Sequence, residues 1–441
     1  MKTLIRGGRL IDPSRGVDMI SDLLIENDKI IGIGTGIAVP DASILIDASN
    51  LIVSPGFIDI HCHLREPGEE HKETIATGTA AGAKGGFTTL CAMPNTIPAM
   101  DNPEMLLDIK ARAEKFGIVK VIPIGSVTLG RYGKILTDMR GMADAGAIGF
   151  SDDGNPIADY HIMHKALLQA KALGLPIINH CEDPSLSKNG VMNEGIVASA
   201  LGLPGWPSLA EENMVKRDIE LAMQTNSKVH LAHISTRGSV EFIRQAKNMG
   251  INITAEATPH HLTITEEWVR PINDSMLKYN TNAKVNPPLR TKEDVDAIVL
   301  ALSDGTIDCI GTDHAPHSTE DKSYSFEDAS FGISGLETAF GALMSLVHKN
   351  RIDLSTLIKS LTYAPARIIN KPDICTGTLD VGSRADVTIF DPDLRWQVKS
   401  DLFISKGKNT PIAEEFLQGY IKTTIVDGRI VYESEDPIIV E

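Results

Sequence analysis

Eight short apolar runs, most with a polar or ionisable residue at the end, recur through the middle of the chain. They read "GFIDIHCHL", "FTTLCAMPN", "VKVIPIGSV", "GAIGFSDD", "LPIINHCED", "KVHLAHIST", "NITAEATPH" and "IDCIGTDHAPH". Helix-like stretches such as "NPEMLLDIKARAEKFG" and "MHKALLQAKALG" separate them. Eight strand-then-helix units predict an α/β fold, a (β/α)8 TIM barrel. Runs that are apolar throughout suit parallel strands covered on both faces. In such a barrel the strand C-terminal ends share one mouth, where active sites lie. Asn95, Asp152, Asp153, His180, His233 and Asp313 each closely follow a run, so residues scattered in sequence are expected at one place.

The two ends have a different texture. "KTLIRGGRLID", "SDLLIENDKIIGIG" and "SILIDASNLIVSPG" at the start, and "GTLDVGSRADVTIFDPD" and "TTIVDGRIVYE" at the finish, are strand-like runs cut by turn residues. They predict a small β-sandwich domain built from residues 1–54 and 376–441 around a barrel over 55–375. The formal net charge is −16, from 42 basic and 58 acidic residues. No basic stripe is present, which excludes a general nucleic-acid binder. An anionic substrate must then be met by a local arginine. No apolar run is long enough to span a membrane. The N-terminal stretch lacks an apolar signal-peptide core, and the five cysteines stand singly without CxxC spacing. A cytoplasmic protein with reduced thiols is expected.

His61 and His63 alternate on the first run, so both imidazoles are expected in the mouth while Cys62 points away. His180, His233 and Asp313 end later strands. Imidazole and carboxylate together suit zinc or a similar metal. Four histidines and an aspartate exceed the needs of one catalytic zinc, which takes three protein ligands. Two ions would need a bridge, which Asp153 of "GFSDDG" can supply. Such a pair activates a water and polarises a carbonyl. Asp313 would hold one ion and also act as the general acid/base. Arg65 is placed to grip a carboxylate through two hydrogen bonds, and Asn95 to add a directed donor. His317 is the better candidate for substrate contact and His314 for a structural role. The loop around them, "HAPHSTEDKSYSFEDASFG", reads as a mobile lid. His260 and His261 are sequence neighbours that point apart on a strand, a poor chelate, and are expected to pack and hydrogen-bond.

"FIDIHCHLREPG", "AMPNT", "GFSDDG", "NHCED", "AHIST", "NPPLR" and "IGTDHAPH" together resemble the bacterial class I dihydroorotases of the amidohydrolase superfamily, over nearly the whole chain. The resemblance implies reversible hydrolysis of (S)-dihydroorotate to N-carbamoyl-L-aspartate, in pyrimidine biosynthesis. It implies two zinc ions per chain, one held by His61, His63 and Asp313, the other by His180 and His233, with Asp153 bridging. It places His63, Arg65, Asn95, Asn286, His317, Phe331 and Gly332 around the substrate. It further implies a homodimer, with aspartate carbamoyltransferase as a possible partner. Allantoinases and dihydropyrimidinases are the nearest alternatives. Those relatives bridge their metals with a carboxylated lysine in a pattern like "GFK", where this chain has Ser151. A catalytically silent scaffold subunit is a further alternative, and such chains lack several of the six ligands that are present here. In the stretch "EEWVRPINDSMLKYNTNAKVNPPLR" (266–290), the segment 267–285 ahead of "NPPLR" is longer than the resemblance leads one to expect.

Overall fold

The computed structural model describes residues 2–39, 41, 43–271 and 279–434. The chain starts in a sheet. β1 (Lys2–Asp12) pairs antiparallel with β2 (Val17–Glu26), and β2 with β3 (Lys29–Gly34). On its other side β1 takes two parallel partners, β4 (Ser43–Asp47) and then β5 (Ile52–Pro55).

The barrel strands follow. β6 (Phe57–Cys62), β7 (Phe87–Ala92) and β8 (Lys120–Pro123) are parallel neighbours. The fourth strand is reduced to Phe150, which bridges Gly125 on one side and Ile177 on the other. β9 (Ile177–Asn179) comes next. A small ladder of β10 (Met192–Asn193) and β11 (Gly205–Trp206) forms in the connection that follows it. Then β12 (Val229–Leu231), β13 (Ile253–Ala257) and β14 (Cys309–Ile310) extend the parallel run. Just past β14, Asp313 N–H donates to His61 O and His63 N–H to His314 O, both at 2.9 Å, and His314 bridges Cys62. Those bonds join the eighth strand to the first and close the ring, so the eight expected runs are the eight staves.

β15 (Val387–Gln397), β16 (Phe416–Val426) and β17 (Arg429–Glu433) return to the first sheet, with β15 beside β5. The far strand β3 also meets the chain ahead of β15, through a bridge between Lys29 and Arg384. The sheet therefore folds over on itself, and Ile5, Leu23, Ile25, Val53, Val387 and Ile389 share the core between its layers.

Helices cover the barrel because their caps and apolar stripes agree. Over Pro103–Phe116, Asn102 caps Met105 N–H, proline opens the first turn, and Leu106 and Ile109 are the buried face. Over Tyr160–Leu173, Asp159 caps two N–H groups, and Met163, Ala166, Leu167 and Ala170 form the inward stripe.

One irregularity in β6 bears on function. Asp59 pairs with Leu90 and Cys62 with Ala92, so three steps on β6 face two on β7. Below this bulge Ile58 and Ile60 join Cys91, Ile122, Ile148 and Ile178 in the barrel interior. Above it Cys62 packs outward with Leu90 and Ala92, as expected, and His61 and His63 turn into the mouth. Bulges commonly re-aim side chains in this way beside active sites.

Candidate active site

Six side chains from five staves converge at the mouth. His61 Nε2 lies 3.4 Å from Asp153 Oδ1 and 3.6 Å from Asp313 Oδ1. His63 Nε2 is 3.0 Å from Asp313 Oδ1 and 3.5 Å from Asp153 Oδ2. His233 Nε2 is 3.4 Å from Asp153 Oδ1, and His180 Nδ1 is 3.8 Å from the same oxygen. His180 Nδ1 and His233 Nε2 are themselves 2.8 Å apart. Asp153 thus stands among four imidazoles, Oδ1 toward His61, His180 and His233 and Oδ2 toward His63.

The other nitrogen of three rings is already engaged. His61 Nδ1–H donates to Glu256 Oε1 at 2.5 Å, His63 Nδ1–H to Asn95 Oδ1 at 2.7 Å, and His180 Nε2–H to Glu182 Oε2 at 2.8 Å. Each bond fixes a tautomer whose free lone pair faces the centre. His61 Nε2 and Asp153 Oδ1 are buried and have no hydrogen-bond partner. Buried polar atoms are rarely left so. His61, His63 and Asp313 form one group with ligand atoms within 4.8 Å of one another, and His61, Asp153 and His233 another. The donor set, N and O only, fits a divalent metal centre.

The electrostatics point the same way. Burial opposes charge on His61, yet Glu256 and Asp153 draw its pKa well above the usual value. Burial pushes the Asp153 carboxyl up, and the surrounding imidazoles outweigh it and hold it well below the usual range. Asp313 is likewise held low, against burial, by the hydrogen bond with His63 and the nearby rings. Glu182 is held at about 2 although burial opposes it, chiefly by His180. The cluster is a sink for positive charge, and metal cations would supply it.

Above this cluster opens a cavity of about 210 Å³. Arg65, Asn95, Asn286, His317, Phe331 and Gly332 line it together with His63, Asp153, His180, His233 and Asp313. His61 lies beneath, fully buried. Arg65 Nε–H donates to Pro316 O, which orients the guanidinium, and Arg65 has φ 59°. Asn95 Oδ1 is taken by His63, which leaves its Nδ2 as the donor for a ligand. Asn286 Nδ2 donates to Glu182 Oε2 at 3.1 Å. His317 Nε2–H donates to Phe331 O at 2.8 Å. Burial and the charges of Arg65 and Lys322 push the His317 pKa down to about 2, so the ring is neutral. Gly332 has φ 142°, and a Cβ there would lie 2.7 Å from Ala315 O.

Other residues named from sequence separate into structural parts. Asp152 turns from the mouth and accepts from Val127 N–H, Thr128 N–H and the Thr128 hydroxyl. His314 Nε2 meets Glu73 at 3.3 Å. His261 bonds Thr258 Oγ1 and Pro287 O, while His260 Nε2 is buried without a partner. The expected mobile lid is held down. Phe326 is buried in an apolar cluster with Val285 and Ile333, and Lys322 Nζ donates to the carbonyls of Thr281, Lys284 and Ser330. Lys322 Nζ, bonded to three carbonyls, pins the loop. Lys322→Ala removes these bonds at a cost of about 1–3 kcal/mol. Proteolysis within 314–332 is expected to speed up about 5- to 150-fold, the corresponding change in local opening. The long 267–285 stretch lies partly outside the described residues. Its described flanks meet where Asn280 N–H donates to Val269 O at 2.9 Å.

Two carboxylates of the site went unread in the sequence, Glu182 and Glu256. The signal for Glu256 was present: a charged residue inside the apolar run "NITAEATPH" needs a buried partner.

A family profile described as "Dihydro-orotase-like" matches residues 50–239, and one described as "Amidohydrolase family" matches 205–432. A dihydroorotase of Geobacter metallireducens is 45% identical over 433 residues, covering 98% of this chain and 100% of that protein. The chain belongs to the dihydroorotase family. A further dihydroorotase, of Pelotomaculum thermopropionicum, is 48% identical over 434 residues, covering 98% of this chain and 99% of that protein. Among solved structures, the L-hydantoinase (dihydropyrimidinase) of Arthrobacter aurescens superposes with a TM-score of 0.86 at 26% identity, covering 99% of this chain and 97% of that one. The dihydropyrimidinase of Brevibacillus agri gives 0.85 at 22%, covering 99% and 96%, and shows the shared fold alone. Within the dihydroorotase family frame, the fourth stave is informative. Ser151 Oγ accepts from Asp153 N–H at 3.0 Å, and no lysine stands there to bridge two ions. No helix among the described residues is long and apolar enough to cross a membrane.

Proposed function

We propose that the chain is a dihydroorotase, a hydrolase that opens the cyclic amide of (S)-dihydroorotate to N-carbamoyl-L-aspartate and closes it again. The observation that carries this reading is Asp153 set among the imidazoles of His61, His63, His180 and His233, beneath a cavity walled by Arg65. His61, His63 and Asp313 would hold one metal ion, His180 and His233 the other, with Asp153 shared. Zinc suits this ligand set. When bound, such ions lower the pKa of a water and polarise the scissile carbonyl.

The chain's own residues do the rest. Arg65 and the Asn95 amide hold the substrate carboxylate at the cavity wall. Asn286, the His317–Phe331 pair and the backbone at Gly332 shape the pocket for the ring. Asp313, ionised and with Oδ1 3.0 Å from His63 Nε2, accepts the proton of the attacking water. The C–O bond forms as the ring amide C–N bond breaks, and Asp313 returns that proton to the leaving nitrogen. In the reverse direction the same carboxylate takes a proton from the carbamoyl nitrogen. Arg65 favours dihydroorotate over dihydrouracil, whose ring bears no carboxylate. The five cysteines are free and buried, which supports a cytoplasmic setting. Assembly as a homodimer, with an aspartate carbamoyltransferase partner possible, belongs to the same reading and is supported by the family resemblance.

The test is parallel hydrolysis of dihydroorotate, allantoin and dihydrouracil by zinc-loaded protein, with metal content measured on the same sample. Turnover of dihydroorotate alone, with two ions per chain, is expected. Preferred turnover of either other ring would overturn the substrate assignment.

A further inference from the structure

Beneath the mouth, one carboxylate touches both halves of the candidate metal centre. Glu256 lies on β13 and is fully buried. Its Oε1 accepts from His61 Nδ1–H at 2.5 Å and from the backbone N–H of His233 at 3.2 Å. Its Oε2 accepts from His230 Nε2–H at 3.2 Å. His230 Nδ1 in turn accepts from Thr254 Oγ1–H at 2.8 Å. Every donor in this chain has one acceptor, so the tautomers of His61 and His230 are both set.

Two further observations make the arrangement look built for this purpose. His233 has φ 34°, a left-handed conformation that a residue other than glycine adopts at a cost. The hydrogen bond to Glu256 helps hold that backbone, and with it the direction of the His233 ring. Just past the neighbouring strand β14, Gly311 leaves the space that Glu256 occupies. A Cβ at Gly311 would lie 2.6 Å from Glu256 Oε2 and 2.9 Å from His61 Cβ.

We propose that Glu256 is the positioning residue for both metal half-sites, aiming the His61 ring at one ion and the His233 backbone at the other, within space that Gly311 provides. A carboxylate behind a ligating imidazole also raises its basicity as a ligand, and removing one typically weakens metal binding 10- to 100-fold. The proposal rests on the two-metal reading above.

The experiment is zinc titration against a chromophoric chelator for wild type, Glu256→Gln and Gly311→Ala. Metal stoichiometry, the circular dichroism and thermal midpoint of the metal-free proteins, and steady-state kinetics are recorded alongside. Wild type is expected to take two zinc ions. Glu256→Gln keeps the shape and one acceptor but loses the charge. It is expected to bind both ions roughly 10- to 100-fold more weakly, with kcat reduced and KM within about twofold when zinc is saturating. Gly311→Ala is expected to shift affinity in the same direction with Glu256 chemically intact, and it decides the question if Glu256→Gln does not fold. Wild-type zinc affinity in the folded variants overturns the proposal and leaves Glu256 a core residue only. Fewer than two ions on wild type overturns the two-metal reading itself and this inference with it. Since zinc binding is read without substrate, a wrong substrate assignment alone leaves the affinity result standing.

Discussion

Asp313→Asn is expected to lower kcat for dihydroorotate hydrolysis about 10²- to 10⁴-fold, the range for loss of a positioned acid/base, while KM changes only a few-fold. The substitution keeps the volume and one oxygen of the side chain, so the ring closure at His61 O and the contact with His63 can persist. What is lost is a carboxylate able to carry a proton from the incoming water to the departing nitrogen. The same group serves both directions, and a mutation cannot alter the reaction's equilibrium constant. Ring closure of N-carbamoyl-L-aspartate must therefore fall by the same factor in kcat/KM. Steady-state kinetics in both directions, on protein whose metal content has been verified, check this. A fully metallated variant within tenfold of wild type would remove Asp313 from the chemistry.

The second large effect is expected at Arg65. Arg65→Lys keeps the positive charge but replaces the planar fork by a single ammonium. Hydrogen bonds to charged groups contribute about 1.5–3 kcal/mol, so kcat/KM for dihydroorotate is expected to fall about 10- to 100-fold, mostly through KM. The Nε–H bond to Pro316 O goes as well, which loosens the aim of the side chain. Dihydrouracil has no carboxylate to lose, so whatever slow turnover it shows should change far less. Equal losses on the two substrates would mean that Arg65 supports the pocket rather than reading the carboxylate.

The barrel was legible because its signal is local. A buried parallel strand is a short apolar run, and the run's end is the mouth, so His61, His63, Asp153, His180, His233 and Asp313 could be placed together without coordinates. The two-ended sheet was legible for the same reason, from the texture of its strands. The anchors of the loop over 314–332 were not legible. "HSTEDKSYSFEDASFG" is polar in composition, but Phe326 and Lys322 anchor it to residues 279–285 and 330–333, and composition does not report an anchor. The bulge between Asp59 and Cys62 was also invisible. Strict alternation would have Ile60 and His61 on opposite faces, whereas an extra residue lets both face inward.

The sequence alone determined which histidines and carboxylates the chain carries at its strand ends, because side-chain chemistry and the two-residue strand period are written locally. Only the tertiary structure decided which atom of each imidazole faces the centre. Glu256 is 195 residues from the His61 it fixes, and Asn95 is 32 from His63. A tautomer is set by the hydrogen bond on the opposite nitrogen, and that partner is brought by ring closure of the barrel, not by the neighbouring chain.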